Sequence, residues 1–205
     1  MTSRKQYWEE VYKTKHPEEV GWYQPHPDVS LGFFDALEIP IQDSIIDVGG
    51  GDSHLCEFLL EKGYMDVSVL DISRNAIKRS QNRLQELSER IDWIIGDVTE
   101  YHHDRQFKVW HDRATFHFMH GVSDVEKYVS IAARTVEAGG YLIIGTFSER
   151  GPESCSGLPV KRYAISKLEQ TFQPYFELIE AQNIDHVTPG GIIQNYNFCS
   201  FRRKS

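Results

Sequence analysis

The chain has 205 residues, of which 40% are hydrophobic and 25% are charged, and its formal net charge at pH 7 is −8. This composition is typical of a globular protein rather than a disordered one, and the length suits one domain. An acidic chain is not expected to bind nucleic acid nonspecifically, because such binding needs clustered Lys and Arg. No apolar run approaches the roughly 20 residues of a membrane-spanning helix. We therefore predict one domain over residues 1–205 that binds neither nucleic acid nor membranes.

The cysteines and the first residues bear on the compartment. Cys56, Cys155 and Cys199 lie far apart, are odd in number and form no CxxC pair, a pattern typical of reduced thiols. The first ten residues are polar and lack the apolar core of a signal peptide. The sequence therefore predicts a cytoplasmic protein.

Residues 1–43 are rich in aromatic side chains and predict a helical cap. Trp8 and Tyr12 share a helix face, and Trp22 and Tyr23 precede a proline. Packing of this face on the rest of the domain would explain the aromatics. A lid that buries a ligand and offers π-faces to a cation would explain them equally. Both interpretations stay open at this point.

The core of the domain is predicted over residues 44–205, where short apolar runs alternate with helical patterns. The apolar runs predict strands over 44–48, 67–71, 91–95, 107–111 and 141–147. A helical stripe over 125–136 is followed by Gly139 and Gly140, which favour the end of that helix. Strand–helix–strand units at this spacing predict a largely parallel, doubly wound sheet.

The last fifth of the chain has a different pattern. A short helix is predicted over 165–172, ahead of Pro174, and two extended stretches follow over 176–187 and 192–201. Only a few turn residues separate these stretches, so they should form an antiparallel hairpin. The predicted fold class is therefore α/β: a doubly wound, mostly parallel, seven-stranded sheet with a C-terminal antiparallel hairpin and an N-terminal helical cap.

The main functional signal is the run from Asp47 to Ser53, Asp-Val-Gly-Gly-Gly-Asp-Ser, directly after the first strand. Glycines let the backbone turn sharply and approach a ligand, and the helix that follows presents free N–H groups. A purely structural turn is the alternative. Asp71 ends the second strand about 20 residues beyond the glycines, where a carboxylate can accept both hydroxyls of a ribose. The alternative is that Asp71 has only a structural role, as an exposed N-cap of the next helix.

The charges around the glycine turn discriminate between two nucleoside cofactors. A dinucleotide would place a pyrophosphate here, and Asp47 and Asp52 would both repel it. The same carboxylates suit a ligand that carries an ammonium and a sulfonium. The charges therefore favour S-adenosylmethionine over NAD. Binding of NAD would instead indicate a nicotinamide-dependent reductase.

The glycine turn, Asp71, Asp97 and the terminal hairpin resemble the class I S-adenosylmethionine-dependent methyltransferases over about residues 44–203. The resemblance implies a Rossmann-like methyltransferase fold, with Asp47 holding the methionine part, Asp71 the ribose and Asp97 the adenine. Ser53 stands where the common motif has glycine, as in the subgroup of eukaryotic lysine methyltransferases of the citrate-synthase and elongation-factor type. The complete predicted cofactor set is Trp8, Tyr12, Trp22, Asp47, Gly49, Gly51, Ser53, Asp71, Ile72, Gly96, Asp97, Val98 and His111.

The methyl acceptor is expected beside the end of the fourth strand. The Asp112-Arg113 pair there resembles thiopurine and thiol methyltransferases, in which the arginine borders the acceptor pocket. Arg113 could hold an anionic or thiolate acceptor, or Asp112 and Arg113 could brace the loop as an ion pair. His117 is a candidate for taking a proton from the acceptor. His117 and His120 lack a third ligand, so no metal site is predicted.

These observations predict a methyltransferase that acts on a small-molecule nucleophile such as a thiol. Ser53 and the cap also suit a protein lysine methyltransferase. A third possibility is a non-catalytic module that binds S-adenosylmethionine and regulates a partner.

Overall fold

The structure is a computed structural model that describes residues 3–205; Met1 and Thr2, which belong to the predicted cap, lie outside the described residues. In chain order the helices and strands are α1 (Arg4–Thr14), α2 (Asp28–Ala36), β1 (Ser44–Val48), α3 (Leu55–Glu61), β2 (Asp66–Asp71), α4 (Arg74–Leu84), β3 (Ile91–Ile95), β4 (Phe107–Arg113), α5 (Val122–Thr135), β5 (Val136–Phe147), β6 (Ser154–Cys155), β7 (Leu158–Pro159), α6 (Ile165–Phe172), β8 (Phe176–Val187) and β9 (Ile193–Arg203). Four short 3₁₀ turns connect some of them.

Seven of the strands form one sheet in the order β3-β2-β1-β4-β5-β9-β8. The neighbours from β3 to β5 pair in parallel, and β9 pairs antiparallel with both β5 and β8. The order reverses between β1 and β4, so the carboxyl ends of these two strands flank a crevice where open α/β sheets bind ligands. The predicted fold class, including its C-terminal hairpin, is confirmed.

Each face of the sheet is covered by its own apolar cluster because side chains alternate along every strand. Ile46 and Trp110 point to the face covered by α5 and α6. Ile45 and Val109 point to the opposite face, covered by α2 and α3. Burial on both faces explains why the strands read as nearly continuous apolar runs.

The fifth strand begins earlier than its apolar run predicts. The predicted helix over 125–136 ends at Thr135, and β5 already begins at Val136 rather than at residue 141. The pairing of β4 with β5 shifts register between Phe107 and Val109, which accommodates the early start. Gly139 lies in this extended segment with φ 74°, a conformation that favours glycine.

The cap consists of α1, α2 and the segment between them. Helix α1 begins with a capping box in which Ser3 accepts from the backbone N–H of Gln6, and the Gln6 side chain accepts from that of Ser3. Tyr12 is the buried residue of α1, whereas α2 buries Leu31, Phe33 and Phe34. Within residues 3–205, the helices are all too short or too polar to cross a membrane.

Candidate functional site

One cavity of about 1100 Å³, open to solvent on one side, lies at the carboxyl ends of β1 and β2 beneath the cap. Every residue of the predicted cofactor set except Gly51 lines it. Arg113, predicted on the acceptor side, lines it too, whereas His117 does not. Asp47 and Arg113, 66 positions apart in the sequence, therefore share one wall because the parallel strands β1 and β4 end at the same edge.

The glycine turn is built so tightly that larger residues would clash. Gly49 has φ 71°, and a Cβ there would lie 1.8 Å from the Oγ1 of Thr115. A Cβ on Gly51 would lie 2.6 Å from a carboxylate oxygen of Asp71. Gly51 therefore acts behind the cavity wall, where it lets the turn approach Asp71. Ser53 closes the turn by accepting a hydrogen bond from the backbone N–H of Leu55 at 3.1 Å.

Asp71 is buried at the end of β2 and is held by the backbone of two loops. Its carboxylate accepts hydrogen bonds from the N–H of Gly51 at 3.0 Å and of Ser73 at 2.7 Å. Burial is the main cause that raises its pKa to about 6. The alternative of an exposed N-cap is wrong, because Asp71 is 5% exposed and Ser73 itself caps α4.

Asp47 and His111 form a buried pair on neighbouring strands. His111 Nδ1 lies 2.7 Å from Asp47 Oδ1, and its Nε2 lies 2.9 Å from the hydroxyl of Ser30 in the cap. The second carboxylate oxygen of Asp47 is buried without a hydrogen-bond partner in this structure. A buried carboxylate oxygen facing a cavity without a donor suits a ligand that brings one, such as an ammonium group.

Asp97 is already bound by the protein itself. Its Oδ1 accepts from the N–H and the hydroxyl of Thr99, and its Oδ2 lies 3.3 Å from the guanidinium of Arg4. Arg4 also reaches Asp124 at 3.1 Å, so it links the cap to two places on the core. An adenine amino group at Asp97 would therefore share that carboxylate with Arg4.

Asp52 does not present the unpaired negative charge that the sequence predicts. Asp52 forms ion pairs with Arg79 at 3.2 Å and Arg83 at 2.8 Å, both from α4, and its side chain is 5% exposed. The two guanidiniums neutralise the acid that was expected to repel a pyrophosphate. Of the two carboxylates that favoured S-adenosylmethionine on charge alone, only Asp47 keeps an unpaired oxygen.

The cap contributes an aromatic wall to the cavity. Trp8 packs edge-on against Trp22, with ring centroids 5.9 Å apart, and against Phe118 of the core at 5.1 Å. Tyr12 and Trp22 are 6.3 Å apart. These rings connect the cap to the segment after β4.

Glu9 fastens the cap to the start of α4. Its carboxylate accepts from the hydroxyl of Ser73 at 2.9 Å, the N–H of Arg74 at 2.9 Å and the N–H of Asn75 at 3.0 Å. These N–H groups have no partner within the helix, so Glu9 satisfies them and lies at the positive end of the helix dipole. The sequence carries no signal for this role of Glu9, because its partners lie 64 to 66 positions away.

Asp112 and Arg113 point to opposite faces of the sheet and do not form an ion pair. Asp112 accepts hydrogen bonds from the Tyr128 hydroxyl and from the N–H groups of Thr115 and Phe116. Burial raises the pKa of Asp112 to about 6. Arg113 points to the cavity, and its Nη1 is buried without a hydrogen-bond partner in this structure. Asp112 alone therefore braces the loop after β4.

His117 does not fit the predicted role of acceptor-side base. It is fully buried, stacks on Phe147 with ring centroids 4.6 Å apart and has no hydrogen bond at either ring nitrogen. Burial lowers its pKa to about 3, with a further contribution from the charge of Arg113. Because β4 continues to Arg113, the following turn carries His117 into the apolar core rather than into the cavity.

The loop after β5 adds one more wall. It folds into the small hairpin of β6 and β7, and Cys155 lines the cavity while being 6% exposed. Burial raises the pKa of this thiol to about 12, so it remains protonated. Within residues 3–205 no group of three or more His, Cys, Asp or Glu side chains has the arrangement of a metal site.

Comparisons with known proteins agree with this geometry. A family described as "Methyltransferase domain" matches residues 45–140. The eEF1A lysine and N-terminal methyltransferase of Bos taurus is 23% identical over 184 residues, which cover 86% of this chain and 26% of the relative. The chain spans about a quarter of the length of the curated relatives it matches.

Solved structures share the fold across the whole chain. A structure reported for the conversion of a disulfide bond into a thioacetal group during echinomycin biosynthesis has a TM-score of 0.79 at 18% identity and covers 100% of this chain and 93% of its own. The Burkholderia thailandensis 1,6-didemethyltoxoflavin-N1-methyltransferase, with S-adenosylhomocysteine bound, has a TM-score of 0.72 at 16% identity and covers 96% of this chain and 82% of its own.

A methyltransferase-domain family matches residues 45–140, and the whole chain shares the fold of solved methyltransferase structures. These likenesses support S-adenosylmethionine as the cofactor. The residues at the strand ends fit it: an acid on β1 with a free oxygen, an acid on β2 and an aromatic cap.

Proposed function

We propose that this chain transfers the methyl group of S-adenosylmethionine to a small-molecule nucleophile, such as a thiol, held beside Arg113. The observation that carries the proposal is the guanidinium of Arg113: it lines the cavity, and its Nη1 is buried without a partner. Arg113 as a whole is half-buried, and a partly desolvated cation without a partner is unfavourable unless a ligand supplies the opposite charge. An anionic or thiolate acceptor would do so.

The cofactor would be held by the residues at the strand ends and by the cap. Asp47 would take the methionine part through its free oxygen, Asp71 the ribose and Asp97 the adenine. In this proposal residues 1–43 act as the lid of a single domain whose core is residues 44–205. The remaining predicted contacts are the wall residues Trp8, Tyr12, Trp22, Gly49, Ser53, Ile72, Gly96, Val98 and His111.

The chain's own contribution to the reaction is alignment and the exclusion of water. When bound, S-adenosylmethionine supplies an electrophilic methyl group and its own leaving group. Trp8, Trp22 and Phe118 cover the cavity, and Arg113 would orient the acceptor; such positioning can contribute roughly 7–11 kcal/mol to lowering the barrier.

The state of the two imidazoles near β4 favours an acceptor that needs no base. His111 is hydrogen-bonded at both nitrogens, and burial lowers the pKa of His117 to about 3. A thiol with a pKa of roughly 8.5 is partly ionised at neutral pH, and the charge of Arg113 would increase that fraction. A lysine amine would instead have to lose a proton before it could react.

A protein lysine acceptor remains the second candidate. It is supported by the likeness to the eEF1A lysine and N-terminal methyltransferases across most of this chain. The unpaired Arg113 argues against it, since a cation in the cavity repels a protonated amine.

The test is incubation of the purified chain with methyl-labelled S-adenosylmethionine and a cell extract, followed by separation of small molecules from macromolecules. Label among the small molecules supports the proposal, and label in protein supports the lysine alternative. Cofactor binding without label in either fraction would favour a non-catalytic regulatory module. Arg113→Met should abolish transfer to small molecules while leaving cofactor affinity within about twofold of the wild type.

A further inference from the structure

A second cavity, of about 570 Å³, lies between the cap and the terminal hairpin. Gln24 and Val29 line it from the cap, and His186 and Tyr196 line it from β8 and β9. Arg113 and Gln24 line both this cavity and the cofactor cavity. The two spaces therefore meet at the guanidinium of Arg113 and the amide of Gln24.

Two polar groups of this second cavity are buried and unpartnered in the structure. Tyr196 is 1% exposed, and its hydroxyl has no hydrogen-bond partner. The Nη1 of Arg113 is likewise buried and unpaired. Both side chains line this one cavity, and burial raises the pKa of Tyr196, so its phenol stays protonated as a donor. Each orphaned donor is unfavourable in the empty protein, and a single acceptor group could satisfy both.

The carboxylates around this cavity do not neutralise Arg113. Asp28 lies 2.7 Å from the imidazole of His26, and its side chain is 81% exposed. Asp185 is exposed and accepts from the amide of Asn195 at 2.5 Å. Among the described residues 3–205, neither of these two carboxylates forms an ion pair with Arg113. The interior of the cavity therefore keeps a positive charge.

We infer that this second cavity binds a carboxylate of the methyl acceptor, through Arg113 and the hydroxyl of Tyr196. The inference rests on the proposed methyl transfer and specifies the acceptor class: a small organic acid whose nucleophile extends past Arg113 into the cofactor cavity. A planar guanidinium matches a carboxylate through two parallel hydrogen bonds, and the phenol supplies a third donor. Val29 and Phe198 provide an apolar wall for the acceptor's carbon skeleton.

The experiment uses benzoate as the probe and benzamide as its neutral analogue of the same shape. Each is titrated calorimetrically into the full chain, with and without S-adenosylhomocysteine. Benzoate should bind at least about tenfold more tightly than benzamide, because only the carboxylate carries charge to pair with Arg113. Equal affinities, or no benzoate binding in either state, would overturn the inference.

Variants separate this site from a general effect on the fold. Arg113→Met should remove the preference for benzoate, and Arg113→Lys should restore part of it because the charge is kept but the planar fork is lost. Tyr196→Phe should weaken benzoate binding about threefold or more, yet leave the melting temperature unchanged or higher, since its hydroxyl has no partner to lose. Unchanged benzoate affinity in Tyr196→Phe would contradict the role of the phenol.

Tyr163→Phe is the matched control. Tyr163 is also 1% exposed with an unpartnered hydroxyl, but it does not line this cavity. Its replacement should leave benzoate affinity unchanged. Failure of the proposed function would show separately, as loss of S-adenosylhomocysteine binding or of methyl transfer, whereas benzoate binding reports only on the second cavity.

Discussion

Asp71 lies at the crevice between the strand ends, and it is buried there. Because burial raises its pKa, its charge changes within the pH range in which binding can be measured. Both of its neighbouring loops donate backbone N–H groups to it, yet burial still raises its pKa to about 6. An acid with a raised pKa is protonated below that pH in the empty protein. The ionised carboxylate is the better acceptor for two ribose hydroxyls.

We therefore expect cofactor affinity to be constant above about pH 7 and to fall below about pH 6, by at most about tenfold per pH unit. Calorimetric titration with S-adenosylmethionine between pH 5 and 8 measures this. Asp71→Asn should bind weakly at every pH and show a flatter profile. A wild-type affinity that does not change down to pH 5 would contradict the assignment of Asp71 to the ribose.

Tyr128 bridges two buried polar groups on the opposite face of the sheet. Its hydroxyl donates to Asp112 and accepts from the indole N–H of Trp110 at 3.0 Å. Tyr128→Phe should reduce the free energy of unfolding by about 2–3 kcal/mol, because it leaves the indole N–H of Trp110 and the Oδ2 of Asp112 without a partner. Urea denaturation measures the change. Tyr163→Phe, which removes an unpartnered hydroxyl, is the control; equal losses in both variants would contradict the account.

Sequence alone located the acids of the site but not their partners. Asp47 and Asp71 follow from their positions at strand ends, because parallel strands deliver their carboxyl ends to one edge. The neutralisation of Asp52 by Arg79 and Arg83 could not be predicted, since it depends on which face of α4 meets the glycine turn. The burial of His117 likewise depends on the exact length of β4.

Helix α1 is held to the core by few polar contacts, which lie at the start of α4 and beside the cavity. Glu9 caps α4, and Arg4 pairs with Asp97 and Asp124. Trp8, one residue before Glu9, lines the cavity. The capping contacts therefore set where the aromatic wall lies.

Glu9→Ala should weaken S-adenosylmethionine binding about three- to tenfold and speed its dissociation, because α1 loses its hydrogen bonds to the first N–H groups of α4. Stopped-flow dissociation and calorimetry measure the two quantities. Glu10→Ala is the matched control, since Glu10 is exposed and contacts Lys13 only at 3.9 Å. Similar affinities in the two variants would show that the Glu9 contacts do not hold a lid.

The apolar pattern predicted most elements closely. The predicted strands over 44–48 and 91–95 and the helix over 165–172 coincide with β1, β3 and α6. The early start of β5 escaped prediction because residues 136–140 include two glycines and lack a continuous apolar run. The small hairpin of β6 and β7 is two residues per strand and leaves no periodic signal.

For the whole molecule, the cap and the terminal hairpin lie on either side of Arg113. The Nε2 of His186 in β8 lies 2.8 Å from the carbonyl oxygen of Gly21, beside Trp22 of the cap. The cap and the terminal hairpin are thus joined by a hydrogen bond. This arrangement separates a cofactor cavity at the strand ends from a second cavity at the hairpin, and Arg113 and Gln24 line both.

The most direct test of the account is a calorimetric titration of the wild type and Asp71→Ala with S-adenosylmethionine, run beside the same titration with NAD. The account predicts one S-adenosylmethionine per chain, at least about tenfold weaker binding to Asp71→Ala, and no binding of NAD to either. Unchanged affinity of Asp71→Ala, or NAD binding more tightly than S-adenosylmethionine, would contradict it.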